Sequence, residues 1–128
     1  MPLDPEDPEA WLRLARSDLA YAEKPPEGAL YEPSVFLAQQ AAEKALKALL
    51  VARGVPFPKT HSLTLLLELA AQAEGQLPPE ILQVAVLEAH TLRGRYPLGL
   101  PEITQREWEE ALELARGVVR WVEDLLHG

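Results

Sequence analysis

One uninterrupted helical stretch, Val35 to Arg53 (VFLAQQAAEKALKALLVAR), constrains this chain more than any other feature. It contains neither Gly nor Pro and is rich in Ala, Leu, Lys, Glu and Gln, which lose little side-chain freedom in a helix. Pro33 suits the first turn, where a missing N–H costs nothing, and Gly54 suits the left-handed residue that ends a helix. Val35, Phe36, Ala38, Ala41, Ala42, Ala45, Leu46, Leu49 and Leu50 cover well over half of its circumference. A helix apolar on most sides needs neighbours on several of them, so this one is expected at the centre of the fold.

The polar remainder of that helix is a stripe of Gln40, Glu43, Lys44 and Lys47, three or four residues apart. Glu43 precedes Lys47 by four, the favourable order for a helical ion pair. The plainest expectation is a solvated stripe carrying one weak pair.

Four further segments follow from spacing and punctuation. Asp7 and Pro8 can start a helix over Glu9 to Lys24, with Leu12, Ala15, Leu19 and Ala22 on one face. PPEGALYEP, residues 25–33, reads as a connection. Beyond Gly54, two prolines force an extended path before Thr60 or Ser62 caps a third helix bearing Leu63, Leu66, Leu67, Ala70 and Ala73, ending near Gly75. Pro78 and Pro79 open a fourth, predicted to reach Arg93 or Gly94 with Leu82, Ala85, Ala89 and Leu92 in one row, widened by Ile81, Val84 and Val86. Thr104 and Glu107 form a capping-box pattern ahead of a fifth helix with Trp108, Ala111, Leu112, Ala115, Val119, Val122 and Leu126 in period. With no strand alternation, the expected fold is all-α, one domain over residues 1–128. It is an antiparallel up-and-down helical bundle of four long helices plus a shorter one.

Composition removes several function classes. The chain has no Cys, hence no disulfide, thiolate metal site or cysteine nucleophile. A net charge of −8 argues against broad binding to nucleic acid phosphate. No apolar run is long enough to span a membrane and no secretory leader is visible, so a cytoplasmic location is expected. Eight Arg against four Lys, twelve Pro and no Cys resemble a chain adapted to heat. Gly-rich phosphate loops, nucleophile elbows and metal-ligand spacings are missing, and no metal or cofactor is expected.

The candidates that remain are basic, aromatic or imidazole-bearing. RGRYPLGLPEI, residues 93–103, is an irregular bend of the kind that carries function in small domains. In it Arg93 and Arg95 can fork onto phosphate and Tyr96 can stack on a base or a partner. The alternative is that these arginines pair with the chain's own carboxylates and the tyrosine packs beneath them. His61, just before the third helix, offers an imidazole where anions are favoured, or simply fixes its loop. Lys44 and Lys47 complete the set of nucleotide- or partner-binding candidates. His90 is expected to satisfy local hydrogen bonds, and Trp11, Trp108 and Trp121 to pack.

In order along the chain, several residues resemble one family. They are Trp11 with Asp18-Leu19, and Phe36 with Gln39-Gln40-Ala41-Ala42-Glu43-Lys44-Ala45-Leu46-Lys47-Ala48; Thr60-His61-Ser62-Leu63 and Arg95-Tyr96-Pro97 follow. The chain is similar to prokaryotic HEPN-domain proteins of the stand-alone type found beside minimal nucleotidyltransferases. The resemblance implies a helical bundle, usually homodimeric, that works with nucleotides, RNA or a nucleotidyltransferase partner. Many such relatives are RNases or the toxin half of toxin–antitoxin pairs.

The family's catalytic mark is an Arg followed after four to six residues by His, and here the chain departs from it. Arg93 and Arg95 are followed by YPLGLPEIT, which lacks His, so the usual acid/base partner for cleaving RNA is missing. Arg120 and His127 match the spacing by coincidence at the chain's end. The expected function is therefore a non-catalytic HEPN protein that binds a nucleotide or a nucleotidyltransferase partner. Two alternatives are a metal-independent RNase drawing His61 from elsewhere in the fold, and a structural helical dimer with a protein-only binding surface.

Overall fold

The computed structural model describes residues 2–90, 93 and 96–128. Its helices are α1 (Pro8–Ala22), α2 (Glu32–Ala52), α3 (Leu63–Glu74), the short α4 (Pro79–Leu82) continued by a 3-10 segment (Gln83–His90), and α5 (Gln105–His127). The architecture is all-helical as expected, with four long helices and a shorter one, but the long helices do not alternate up and down: α1 runs against α2 and α5, and α3 runs alongside α2.

Several ends of the long helices have a local chemical reason. Asp7 caps α1 by accepting from the Glu9 N–H at 3.0 Å, and Ser62 caps α3 by accepting from Leu65 at 3.1 Å. Thr104 and Glu107 close a reciprocal capping box on α5: Glu107 N–H donates to the threonine hydroxyl, and Thr104 N–H donates to the Glu107 carboxylate. At the end of α2, Gly54 takes φ +68°, a conformation that side chains with a Cβ resist. The N–H groups of Gly54 and Val55 then bond to the carbonyls of Val51 and Leu50, which satisfies two of the helix's orphan acceptors.

Helix α2 is the centre, packed against α1, α3, α5 and the 3-10 segment. Five of its six alanines, at 38, 41, 42, 45 and 48, are fully buried and admit close neighbours, while Leu46, Leu49 and Leu50 fill the space between helices. Burying each of those leucines contributes roughly 1.5–3 kcal/mol relative to exposure. Trp11 meets Lys47 and Asp18 meets Lys44, so α1 and α2 run antiparallel. Ion pairs Arg16–Glu123 and Arg116–Glu23 lie antiparallel between α1 and α5. All three tryptophans pack as expected: Trp108 stacks on Tyr31 at 5.0 Å, Trp11 meets Phe57 edge-on at 6.3 Å, and Trp121 lies against the core.

The segment between α2 and α3 is not a simple turn. It returns along α2, so that the Thr60 carbonyl lies over Lys47 and His61 over Glu43 before α3 runs back to bring Glu74 to Arg53. This return covers the stripe that was expected to face water.

The fourth helix also differs from expectation. Only Pro79–Leu82 is α-helical, and the buried side chains that follow are Ile81, Val84 and Leu87. A spacing of three is the repeat of a 3-10 helix, whose side chains line up every third residue. The row expected from a 3.6 period does not form: Leu82 is 48% exposed and Val86 58%, Ala89 is exposed, and Leu92 lies outside the described residues.

Candidate functional site

The structure sorts the candidate residues into two places. The first is the polar stripe of α2. Glu43 is only 2% exposed and Lys47 7%, so the expected solvated face is in fact a buried polar cluster. Lys47 Nζ donates to Glu43 Oε2 at 3.1 Å and to the Thr60 carbonyl at 2.9 Å, and lies 5.6 Å and 5.9 Å from the Trp11 and Phe57 ring centres. Glu43 also faces His61 Nδ1, at 3.1 Å and 3.2 Å from its two oxygens, and lies within 3.4 Å of the Gln40 side-chain amide.

With its carboxylate occupied in this way, Glu43 selects the His61 tautomer that carries its proton on Nδ1, and Nε2 is left as an acceptor. The His61 side chain is 65% exposed. Beside this cluster Lys44 forms an ion pair with Asp18 at 2.5 Å. The stripe therefore presents one outward imidazole on a platform whose own charges are matched.

The second place is the bend after the 3-10 segment. Arg93 is 13% exposed at its side chain, donates to the Pro101 carbonyl, and lies 3.3 Å from His90 Nδ1 and 4.0 Å from Glu107. The guanidinium ties the two ends of the bend together and is no open cation, in line with the alternative in which the arginine is engaged within the chain. Arg95 lies outside the described residues. Tyr96 is exposed, and with Leu30, Leu98 and Leu100, also exposed, it edges a cleft of about 510 Å³ floored by Glu32, Pro33, Arg93 and Pro101.

Electrostatics around the bend are consistent with this bracing role. Burial, then the Arg93 charge, hold His90 below its ordinary pKa of 6.5, against a smaller opposing pull from Glu107. The Thr104 backbone N–H, more than any charge, lowers Glu107, and the Thr104 hydroxyl, Arg93 and His90 add to it while burial opposes. His90 thus serves local hydrogen bonding, as expected.

No ion pair or hydrogen bond among the described residues joins His61 to Arg93. The chance match of Arg120 with His127 has its own explanation, because His127 pairs with Glu9 across α1 and α5. Among the described residues no group of three or more His, Asp or Glu is arranged to hold a metal ion.

Three residues matter here that were not among the site candidates. Asp18 neutralises Lys44, Glu43 orients His61, and Glu32 receives the Ile103 N–H at 3.2 Å beneath the bend. A carboxylate inside so apolar a helix was the available signal for Glu43. Nothing in spacing pointed to Glu32.

Comparison with known proteins gives one consistent result. The HEPN domain family matches residues 8–125. The crystal structure of ST0689, an archaeal HEPN homologue, superposes with a TM-score of 0.74 at 31% identity, covering 93% of this chain and 97% of that one. The structure of TT1696 from Thermus thermophilus gives 0.71 at 35% identity, covering 91% and 96%. No curated protein matches the chain. By sequence and by fold alike, the chain belongs to the HEPN domain family.

Proposed function

We propose that this chain is a non-catalytic HEPN protein that binds a protein partner through the bend at residues 96–101. It works as a homodimer in the cytoplasm, with a minimal nucleotidyltransferase as the partner in a toxin–antitoxin pair. The observation that carries this reading is the contrast between the two places. Lys44, Lys47 and Arg93 are engaged within the chain, whereas Leu30, Tyr96, Leu98 and Leu100 stand exposed around one cleft. Clustered apolar and aromatic side chains are the usual core of a protein interface, whereas nucleotide phosphates need free cations.

The test is co-expression with a neighbouring nucleotidyltransferase. Leu98→Ser with Leu100→Ser should abolish co-elution while leaving the melting temperature unchanged, and purified protein should leave RNA intact. Co-elution that survives both substitutions refutes the reading.

One observation favours a second reading, a metal-independent RNase. Glu43 holds Nδ1 of a largely exposed His61, a carboxylate–imidazole pairing of the kind that orients a general base. Metal-free RNA cleavage lost in His61→Ala, with folding intact, would establish it in place of the first.

A further inference from the structure

The floor of the cleft holds an unresolved polar demand. Glu32 Oε2 accepts from the Ile103 N–H at 3.2 Å, but Oε1 is closed off from solvent and has no hydrogen-bond partner. A buried carboxylate oxygen without a donor is costly, and native proteins keep few of them. Glu32 is one of the residues that line the cleft, and the terminal torsion of a glutamate is broad, so its carboxylate can turn to meet a donor placed there. Arg93, the cation beside it, is already committed to the Pro101 carbonyl.

We propose that the cleft receives an arginine side chain of the partner protein, with Glu32 as its counter-ion and the Tyr96 ring and Leu30, Leu98 and Leu100 as its apolar surround. The inference rests on the protein-binding reading above and names the partner's anchor. Charge complementarity selects the occupant: the chain carries a net charge of −8, and of the two charged groups that line the cleft Arg93 is held by the Pro101 carbonyl with Glu107 nearby, whereas Glu32 keeps an unused acceptor. A guanidinium supplies forked donors and a flat face that lies against aromatic and proline surfaces. Buried arginines are also common anchors of interfaces. An ammonium offers no flat face, and a phosphate would meet the carboxylate with like charge.

The probe is the capped tripeptide leucyl-arginyl-leucine, compared with its norleucine analogue and with adenosine monophosphate, followed by amide NMR shifts. The arginyl peptide should move the signals of Glu32, Gly99 and Leu100 saturably. Glu32→Gln keeps an oxygen for Ile103 and should keep the melting temperature, yet weaken that binding by roughly tenfold or more.

Equal binding of the norleucine peptide, unchanged affinity in Glu32→Gln, or no shift with any peptide would each overturn the proposal. So would the same signals moving with adenosine monophosphate, or with protein concentration alone, which would make a nucleotide or a second copy the occupant. Co-elution separates this idea from the one beneath it. Partner binding lost in the Leu98, Leu100 variant but intact in Glu32→Gln would end the arginine proposal and leave the protein-binding reading standing.

Discussion

Lys47 Nζ sits 3.1 Å from Glu43 Oε2, one helical turn away, in a place almost closed to water. On an open helix such a pair contributes a few tenths of a kcal/mol, but burial changes its character. Each charge now depends on the other, because removing one leaves its partner desolvated. Lys47→Ala is expected to cost about 3–5 kcal/mol in urea unfolding, and Glu43→Ala a similar amount. The double variant Glu43→Met with Lys47→Met should lose far less than the two singles combined. Additive losses would mean that the pair's charges are not coupled.

Helix α2 should be the most sensitive element to loss of volume. Leu46, Leu49 and Leu50 are fully buried on a helix packed against α1, α3, α5 and the 3-10 segment, so none has an open side toward which the structure can relax. Leu→Ala at any of the three is expected to cost about 2–5 kcal/mol. Leu3→Ala and Leu30→Ala, at exposed positions, should stay within about 0.5 kcal/mol. Denaturant midpoints with unchanged slopes will rank them.

The bracing of the bend sets a pH dependence. His90 has its folded pKa lowered from 6.5 by burial first and Arg93 second, so the unfolded chain takes up the proton first as acidity rises. Stability from this group is complete above 6.5 and is lost as pH falls through the lowered folded value. Glu107, also lowered, contributes stability that is present above 4.5 and lost at more acid pH. Melting temperatures measured from pH 8 to 4 should therefore begin to fall just below 6.5, and His90→Gln should remove that first decline while keeping the second. A profile unchanged in His90→Gln would show that the histidine is not the group responsible.

What the sequence revealed, and what it hid, follows from the range of each interaction. The span of α2, its Gly54 stop and the caps at Asp7, Ser62 and Thr104 depend on residues within one turn, so local chemistry was enough. The apolar excess of α2 likewise announced a central helix. The fate of Glu43 and Lys47 depended on a segment at residues 55–62 folding back over them, and a helical wheel shows which side a residue faces without showing what covers it. The choice between the two readings of Arg93 stayed open for the same reason, since its acceptor is the carbonyl of Pro101 on the far side of the bend. HEPN membership was legible because it rests on an ordered set of local patterns, whereas the Glu32 cleft joins residues far apart in the chain.

The 3-10 segment supplies the sharpest contrast between periodicities, because residues 79–90 read equally well at either repeat. At three residues per turn Ile81, Val84 and Leu87 share the buried face; at 3.6, Leu82, Ala85 and Ala89 would share it. The two arrangements make opposite demands on substitution. Val84→Ala should cost about 1–2 kcal/mol, and Leu87→Ala about 2–5, through the cavities they leave. Leu82→Ser and Val86→Ser, with side chains already facing water, should be nearly neutral and should improve solubility by removing apolar surface. Urea unfolding of the four variants decides the matter: a large loss in Leu82→Ser with a small one in Leu87→Ala would mean the segment is an α-helix in solution.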